Sequence, residues 1–311
     1  MDAAGIARMF GLGRAVALSD GPVARGKQGA VWRLETSEGL WAVKVAREAP
    51  TAAEVELATG AQEAAHRAGA PVPEVRRTPG GDVLADVDGA AVRVYGWVDL
   101  LPPDARLDPA LVGSTLGLLH RVAAPHPGPV HPWYTEPVGA AGWDGLVAEL
   151  RAAGAPFAGR LAALRDELVA LEAWIEPPGD LRVCHCDLWA DNVLPTAGGG
   201  LCVIDWENAG PADPRGELGC VLFEFARDDP GRARALQGAY AEAGGPARLT
   251  GTGDLTMLVA QLGHLTRAGA TDWLTPNDRS PDRSDAEAWV GEVLDDPHTR
   301  VRLRALLDAV R

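Results

Sequence analysis

Lysine is nearly missing from this 311-residue chain: of 29 basic residues only Lys27 and Lys44 are lysines, and both lie near the N-terminus. Lys44 sits inside the apolar strand pattern Leu-Trp-Ala-Val-Lys-Val-Ala, so it projects a compact ammonium from a β-strand, as a contact to nucleotide phosphates requires. Positive net charge is missing as well. The 43 acidic residues give a formal net charge of −14. That balance argues against nucleic acid and against an anionic membrane surface as partners, and it suits a cationic small substrate. No apolar run reaches the length of a membrane span, and the first residues lack a basic stretch joined to a long apolar core. Neither a spanning helix nor a signal peptide is therefore expected.

Cysteine is sparse. Cys184, Cys186, Cys202 and Cys220 form no Cys-x-x-Cys and are embedded in apolar sequence, so reduced thiols and a cytoplasmic location are expected. Cys184-His185-Cys186-Asp187 is not read as a zinc knot, because adjacent side chains on an extended segment point to opposite faces.

What the chain does have is Cys-His-Cys-Asp-Leu-Trp-Ala-Asp-Asn-Val-Leu, followed by Leu-Cys-Val-Ile-Asp-Trp-Glu. Asp187, then Asn192 five residues on, then Asp205 after an apolar strand is an arrangement suited to phosphoryl transfer. One carboxylate orients the attacking hydroxyl, while the amide and the other carboxylate hold Mg²⁺ against the phosphates of ATP or GTP. Asp187 is thus the candidate catalytic residue, and Asn192 and Asp205 are the candidate metal ligands. His185 is expected to brace the loop by hydrogen bonding.

Upstream, Val31 to Glu35 and Leu40 to Ala46 read as strands joined by a short turn. The preceding loop, Arg25 to Ala30, carries Gly26, Gln28 and Gly29, and its backbone N–H groups can approach phosphates, although it is not G-x-G-x-x-G. Thr51 to Ala68 reads as a helix ending near Gly69. Glu54, Glu56 and Glu63 on it are available to pair with Lys44, and Glu56 is favoured. The next strand runs into Gly96 to Asp99, a hinge whose backbone, around Gly96 and Val98, can meet a nucleobase edge. From Asp108 onward the pattern is helical, with helices expected at Asp108 to Val122, Trp143 to Ala153, Phe157 to Trp174, Arg215 to Ala226, Gly231 to Ala243, Leu255 to Arg267, Asp285 to Leu294 and Pro297 to Val310. Thr271 to Ser284 reads as a surface loop.

These features together resemble the aminoglycoside phosphotransferase and choline kinase-like family. The residues that carry the resemblance are Val-Lys-Val at Lys44, the segment Gly69 to Pro73, Leu116 to Val122, His185 to Leu194, and Val203 to Leu218, in family order over nearly the whole chain. The resemblance implies an α+β, two-lobed protein-kinase-like fold. Residues 1–98 would form a small, mainly β, nucleotide-binding N-lobe, and residues 99–311 a larger, mainly α C-lobe with the catalytic loop and acceptor site. It also implies ATP or GTP as phosphoryl donor, Mg²⁺ as cofactor, and transfer to a hydroxyl of an aminoglycoside-like cationic antibiotic. An amino sugar, a choline-like alcohol or an amino-acid alcohol is the alternative acceptor, and an inactive nucleotide-binding module is the reading from a different class. A monomer or homodimer is expected. The segment Ile204-Asp205-Trp206 in place of Asp-Phe-Gly, and the lack of an Ala-Pro-Glu segment, disfavour a protein kinase.

Cys186 departs from the family pattern, which often has Gly between the His and the Asp. A thiol beside Asp187 carries the expectation of partial inactivation by a thiol reagent, with protection by Mg·ATP. For the acceptor, Glu207, Glu224, Asp228, Asp229, Asp272, Asp278, Asp282 and Asp285 are candidate acids, and Trp133, Tyr134, Trp189, Trp206 and Trp273 are candidate stacking walls, with Trp206 better suited to core packing. Asp213 is expected to support the catalytic loop or to cap a helix.

Overall fold

The computed structural model describes residues 1–26, 29–47, 50–275 and 283–311, so Lys27, Gln28, Asp278 and Asp282 lie outside the described residues. Along the chain, helix α1 (Ala3–Met9) precedes strands β1 (Ala15–Leu18), β2 (Ala24–Arg25), β3 (Gly29–Thr36) and β4 (Gly39–Ala46). Helix α2 (Ala52–Arg67) follows, then β5 (Val75–Arg76), β6 (Ala85–Val87) and β7 (Ala90–Gly96). Helices α3 (Pro109–Val122), α4 (Ala140–Ala152) and α5 (Ala158–Glu172) lead to β8 (Arg182–Cys184), β9 (Val193–Pro195), β10 (Leu201–Val203) and β11 (Gly210–Ala212). The chain ends in α6 (Pro214–Ala226), α7 (Pro230–Glu242), α8 (Thr256–Leu274), α9 (Arg283–Asp295) and α10 (Arg300–Val310). A β-rich N-terminal part and a helical C-terminal part make the mixed α+β class that the family resemblance implied.

Contacts divide the chain into two compact units: Met1–Ala105 with Arg121–Ala124 and His185–Gly210, and Arg106–His120 with Pro125–Cys184 and Pro211–Arg311. In the first unit an antiparallel sheet runs β1-β3-β4-β7-β5, with β2 added to β3 and β6 to β7. Alternation along β3 and β4 turns Leu34, Trp41 and Val43 inward, where they meet Val92 and Val94 and, from the N-terminus, Ile6, Phe10 and Leu12. Helix α1 and strand β1 were not expected from sequence. The helix has only seven residues, too short for a periodic signal, and docking of Ile6 and Phe10 holds it. Helix α2 starts at a capping box: Thr51 accepts from the Glu54 amide at 3.3 Å and the Glu54 carboxylate accepts from the Thr51 amide at 3.2 Å. It stops before Gly69, whose φ of +83° lets Ala70 N–H turn back to the Ala65 carbonyl at 3.0 Å.

The expected division after residue 98 does not coincide with these units, which place residues 99–105, 121–124 and 185–210 in the first. The β9–β10 hairpin belongs with the first unit because its backbone is bonded there: Val203 N–H to Pro71 O at 2.8 Å, Leu101 N–H to Pro195 O at 2.8 Å, and Ala197 N–H to Asp99 O at 2.9 Å.

In the second unit α4, α5, α8 and α9 pack around Trp143, Leu150, Leu161, Trp273 and Val290. Helix α8 runs to Leu274, so Thr271 to Leu274, expected in a loop, are helical: Thr271 Oγ1 donates to Arg267 O at 2.8 Å, and Trp273 is buried edge-on against Phe157. Helix α3 lies so close to α7 that a Cβ on Gly113 would sit 2.0 Å from the Leu236 carbonyl oxygen. His120 on α3 is buried with Nε2 2.7 Å from Glu217 on α6 and Nδ1 2.9 Å from the Tyr240 hydroxyl on α7. That hydroxyl also accepts from Ala247 N–H at 3.0 Å, so His120 ties α3 to both α6 and α7. Asp213 caps α6, with Pro214 in the first turn. Among the described residues no helix is long and apolar enough to cross a membrane.

Candidate active site

Beyond β8 the chain passes through His185 and Cys186, the latter at φ +67°. A β-carbon is unfavourable in that left-handed region, which is the physical reason a glycine suits this position. The turn delivers Asp187. Its Oδ2 accepts from Asn192 Nδ2 and from Asn208 Nδ2, both at 3.0 Å, and Asn192 Nδ2 also reaches the Asp187 carbonyl at 2.9 Å. His185 Nε2 donates to the Ile204 carbonyl at 2.9 Å, and its ring meets Trp206 edge-on at 4.8 Å. Ile204 N–H in turn donates to Asn192 O at 2.9 Å. The loop and the end of β10 are thus stitched together by main chain and His185, the bracing role expected of that histidine. Burial pushes the Asp187 carboxyl up to about 6; the Asn208 bond opposes this, the charges of Asp191 and Asp205 add to it, and the Asn192 bond opposes it.

Asp205 follows at φ +58°, like Cys186 in the left-handed region. Backbone strain of this kind concentrates where the surrounding structure holds a functional group in place. Lys44 Nζ lies 2.8 Å from Asp205 Oδ1 and 2.8 Å from Glu207 Oε2. Arg93, 4% exposed on β7, closes on the other oxygen of Glu207. The β4–β7 register pairs Lys44 with Arg93, so two cations are direct neighbours across the strands and two acids, Asp205 and Glu207, meet them. The sequence-selected residues Lys44, Asp187, Asn192 and Asp205 are therefore brought together within the first unit.

Other expectations are corrected. Glu56 does not pair with Lys44: Arg77 takes it at 3.0 Å and also binds Glu63 at 2.6 Å, so these two acids are committed to one guanidinium, while Glu54, the third acid of α2, is in the capping box with Thr51. A Cβ on Gly29 would lie 2.3 Å from Val45 O, so packing by itself calls for glycine there, and Gly26 N–H donates to Gly29 O at 2.9 Å. The Gly96 amide is not available to a nucleobase, because it donates to Glu74 O at 2.8 Å; Val98 is half-buried just after β7. Cys186 is 1% exposed with its Sγ 3.6 Å from Gly210 O, and the other three cysteines are buried too, so the thiol is not presented to reagents.

Several acceptor candidates are likewise engaged. Glu207 serves Lys44 and Arg93, Asp228 pairs with Arg302, and Asp229 caps α7. Glu224 lies on α6, Asp272 on α8 and Asp285 in the first turn of α9. Trp206 and Trp273 are core residues, and Trp189 and Tyr134 are half-buried. Trp133 is 37% exposed and stacks on His264 with centroids 5.4 Å apart. Sequence reasoning missed Arg93 and Asn208. The signal for Arg93 was a cation inside an apolar strand, the same signal that marked Lys44.

The family model of the phosphotransferase enzyme family matches residues 21–251. The chain belongs to that family. No curated protein matches the chain. Among solved structures this phosphotransferase is similar to a spectinomycin phosphotransferase bound to ADP and spectinomycin, with TM-score 0.65, 14% identity, and 95% of this chain and 93% of that one covered. It is also similar to an aminoglycoside phosphotransferase from Alicyclobacillus acidocaldarius, with TM-score 0.60, 18% identity and coverage of 94% and 91%. A third similar structure is choline kinase from Streptococcus pneumoniae, with TM-score 0.54, 15% identity and coverage of 91% and 96%. At these identities the likeness shows the protein-kinase-like fold.

The donor atoms suit a magnesium ion. Asp205 offers carboxylate oxygens, and Asn192, whose side-chain nitrogen donates to Asp187, offers its side-chain Oδ1. Hard oxygen donors of this kind are what Mg²⁺ takes beside phosphate.

Proposed function

We propose that this phosphotransferase moves the γ-phosphoryl group of ATP or GTP onto a hydroxyl of a small cationic molecule of the aminoglycoside-like class. The observation that carries the reading is the pairing of Asp187 with two amides next to an Asp205 that is bonded to the strand lysine Lys44. Asp187 accepts the hydrogen bond of the acceptor hydroxyl and aligns its oxygen on the γ-phosphorus. The new O–P bond forms as the bond to the β-phosphate oxygen breaks, and the hydroxyl proton passes to the carboxylate. Lys44 sets a compact positive charge against the phosphates. Asn192 and Asp205 would hold Mg²⁺, which when bound would supply positive charge against the phosphates. Catalysis in this scheme is positioning and electrostatics. The acidic net charge of −14 supports a cationic acceptor.

The test is incubation with Mg²⁺ and ATP or GTP against a panel of aminoglycosides, other cationic antibiotics, amino sugars and choline-like alcohols, read by mass spectrometry for one added phosphoryl group. Asp187→Asn is expected to lower kcat roughly 10²–10⁴-fold while nucleotide affinity is kept. Near-normal turnover in that variant would remove Asp187 from the chemistry. Phosphorylation of a simple metabolite alone would replace the antibiotic with a metabolic acceptor.

A further inference from the structure

Asp205 opens a single 3₁₀ turn, Trp206–Asn208. Its three side chains go to three different places. Trp206 is buried, with its indole N–H 3.3 Å from Val203 O and its ring edge-on to His185, and so pins the turn to the catalytic loop. Glu207 turns to the sheet, where it meets Lys44 and Arg93. Asn208 turns to Asp187.

We propose that this turn is the positioning element of the phosphoryl-transfer site, with Glu207 setting Lys44 on the nucleotide side and Asn208 setting Asp187 on the acceptor side. The proposal rests on the function proposed above, and it assigns to the chain following Asp205 the bracing that the sequence led one to seek on α2. Three observations support it. Glu56 and Glu63 on α2 are both taken by Arg77, so neither braces Lys44. Lys44 and Arg93 are register neighbours of like charge, and an acid between them holds both in place. Asp205 is the proposed metal ligand, which leaves Glu207 as the acid whose ion pairs, among the described residues, are both with cationic side chains of the sheet. On the acceptor side, Asn192 and Asn208 both donate to the same Asp187 oxygen, which fixes the rotation of the carboxylate.

The experiment compares Glu207→Gln, Glu207→Asp, Asn208→Ala and, as control, Glu56→Gln with the wild-type protein. Binding of a fluorescent ADP analogue is read without metal, in EDTA. The kcat and nucleotide KM are read on the panel acceptor that the wild type phosphorylates, and Tm is read throughout. Glu207→Gln is expected to weaken metal-free ADP binding about 10-fold and to raise the nucleotide KM with kcat within about 3-fold; Glu207→Asp recovers part of the affinity. Asn208→Ala is expected to lower kcat about 10-fold or more and to leave ADP affinity within about 2-fold. Glu56→Gln changes neither. The two variants moving the same parameter, or changing only Tm, would overturn the proposal, and so would Glu207→Gln binding ADP like the wild type. A wild type that phosphorylates nothing on the panel counts against the function instead, and the ADP measurement still decides the Glu207 half.

Discussion

Lys44 and Arg93 are directly opposed across β4 and β7, and both close on Glu207. A half-exposed pair of this kind would contribute little, but Arg93 is 4% exposed, so the charges are coupled with little screening. Replacing Arg93 by Met leaves Glu207 to Lys44 alone. It is expected to destabilise the protein by about 3 kcal/mol in urea denaturation, the range for breaking a buried ion pair from one side. A loss under about 1 kcal/mol would mean that Lys44 alone satisfies Glu207.

Gly29 offers a test of packing against phosphate contact. An added methyl would meet Val45 O at 2.3 Å, an overpacking that costs about 1–3 kcal/mol. Gly29→Ala should therefore lower Tm in the absence of any nucleotide. An unchanged Tm with weakened nucleotide binding would return Gly29 to the phosphate-loop role.

The four buried cysteines should react with a water-soluble disulfide reagent only as the protein opens. Labelling of native protein is expected to be slow, with activity retained over times that fully label the denatured chain. Rapid modification at Cys186, located by peptide mass mapping, would contradict its burial.

Acid stability should depend on His298. Burial holds this imidazole down to about 4, with Arg227 adding to the effect, Glu167 opposing it and Arg302 adding again. The folded pKa lies below the unfolded one, so below pH 6.5 the unfolded chain binds the proton and the folded protein does not. Stability is complete above about pH 6.5 and falls as pH drops toward 4, by about 3 kcal/mol from this group alone. In His298→Asn the part of the urea-midpoint slope between pH 6.5 and 4 that belongs to this residue should vanish; an unaltered slope would show that other groups carry it.

Much of the site was legible because its spacing is local. Asp187 and Asn192 lie within one loop, and their separation in sequence is what lets the amide fold back onto the carboxylate at 3.0 Å. The start of α2 was legible for the same reason, since Thr51 and Glu54 form one capping box. The expectation for Glu56 went astray because α2 shows its acids to any cation that folds onto it. Arg77, which arrives just after β5, reaches both Glu56 and Glu63.

The sequence by itself determined which chemistry-bearing groups exist and which strand, loop or cap each one occupies, because hydrophobic period, turn residues and short-range hydrogen bonds act over a few residues. Only the tertiary structure decided who partners whom. Lys44 meets Asp205 from 161 positions away, Arg93 stands beside Lys44 through strand register, and Asn208 reaches Asp187 because one short turn lies back against the loop. Those pairings follow from how the sheet and the β9–β10 hairpin close on each other, and closure of that kind is set by the packing of the whole unit, which no local pattern records.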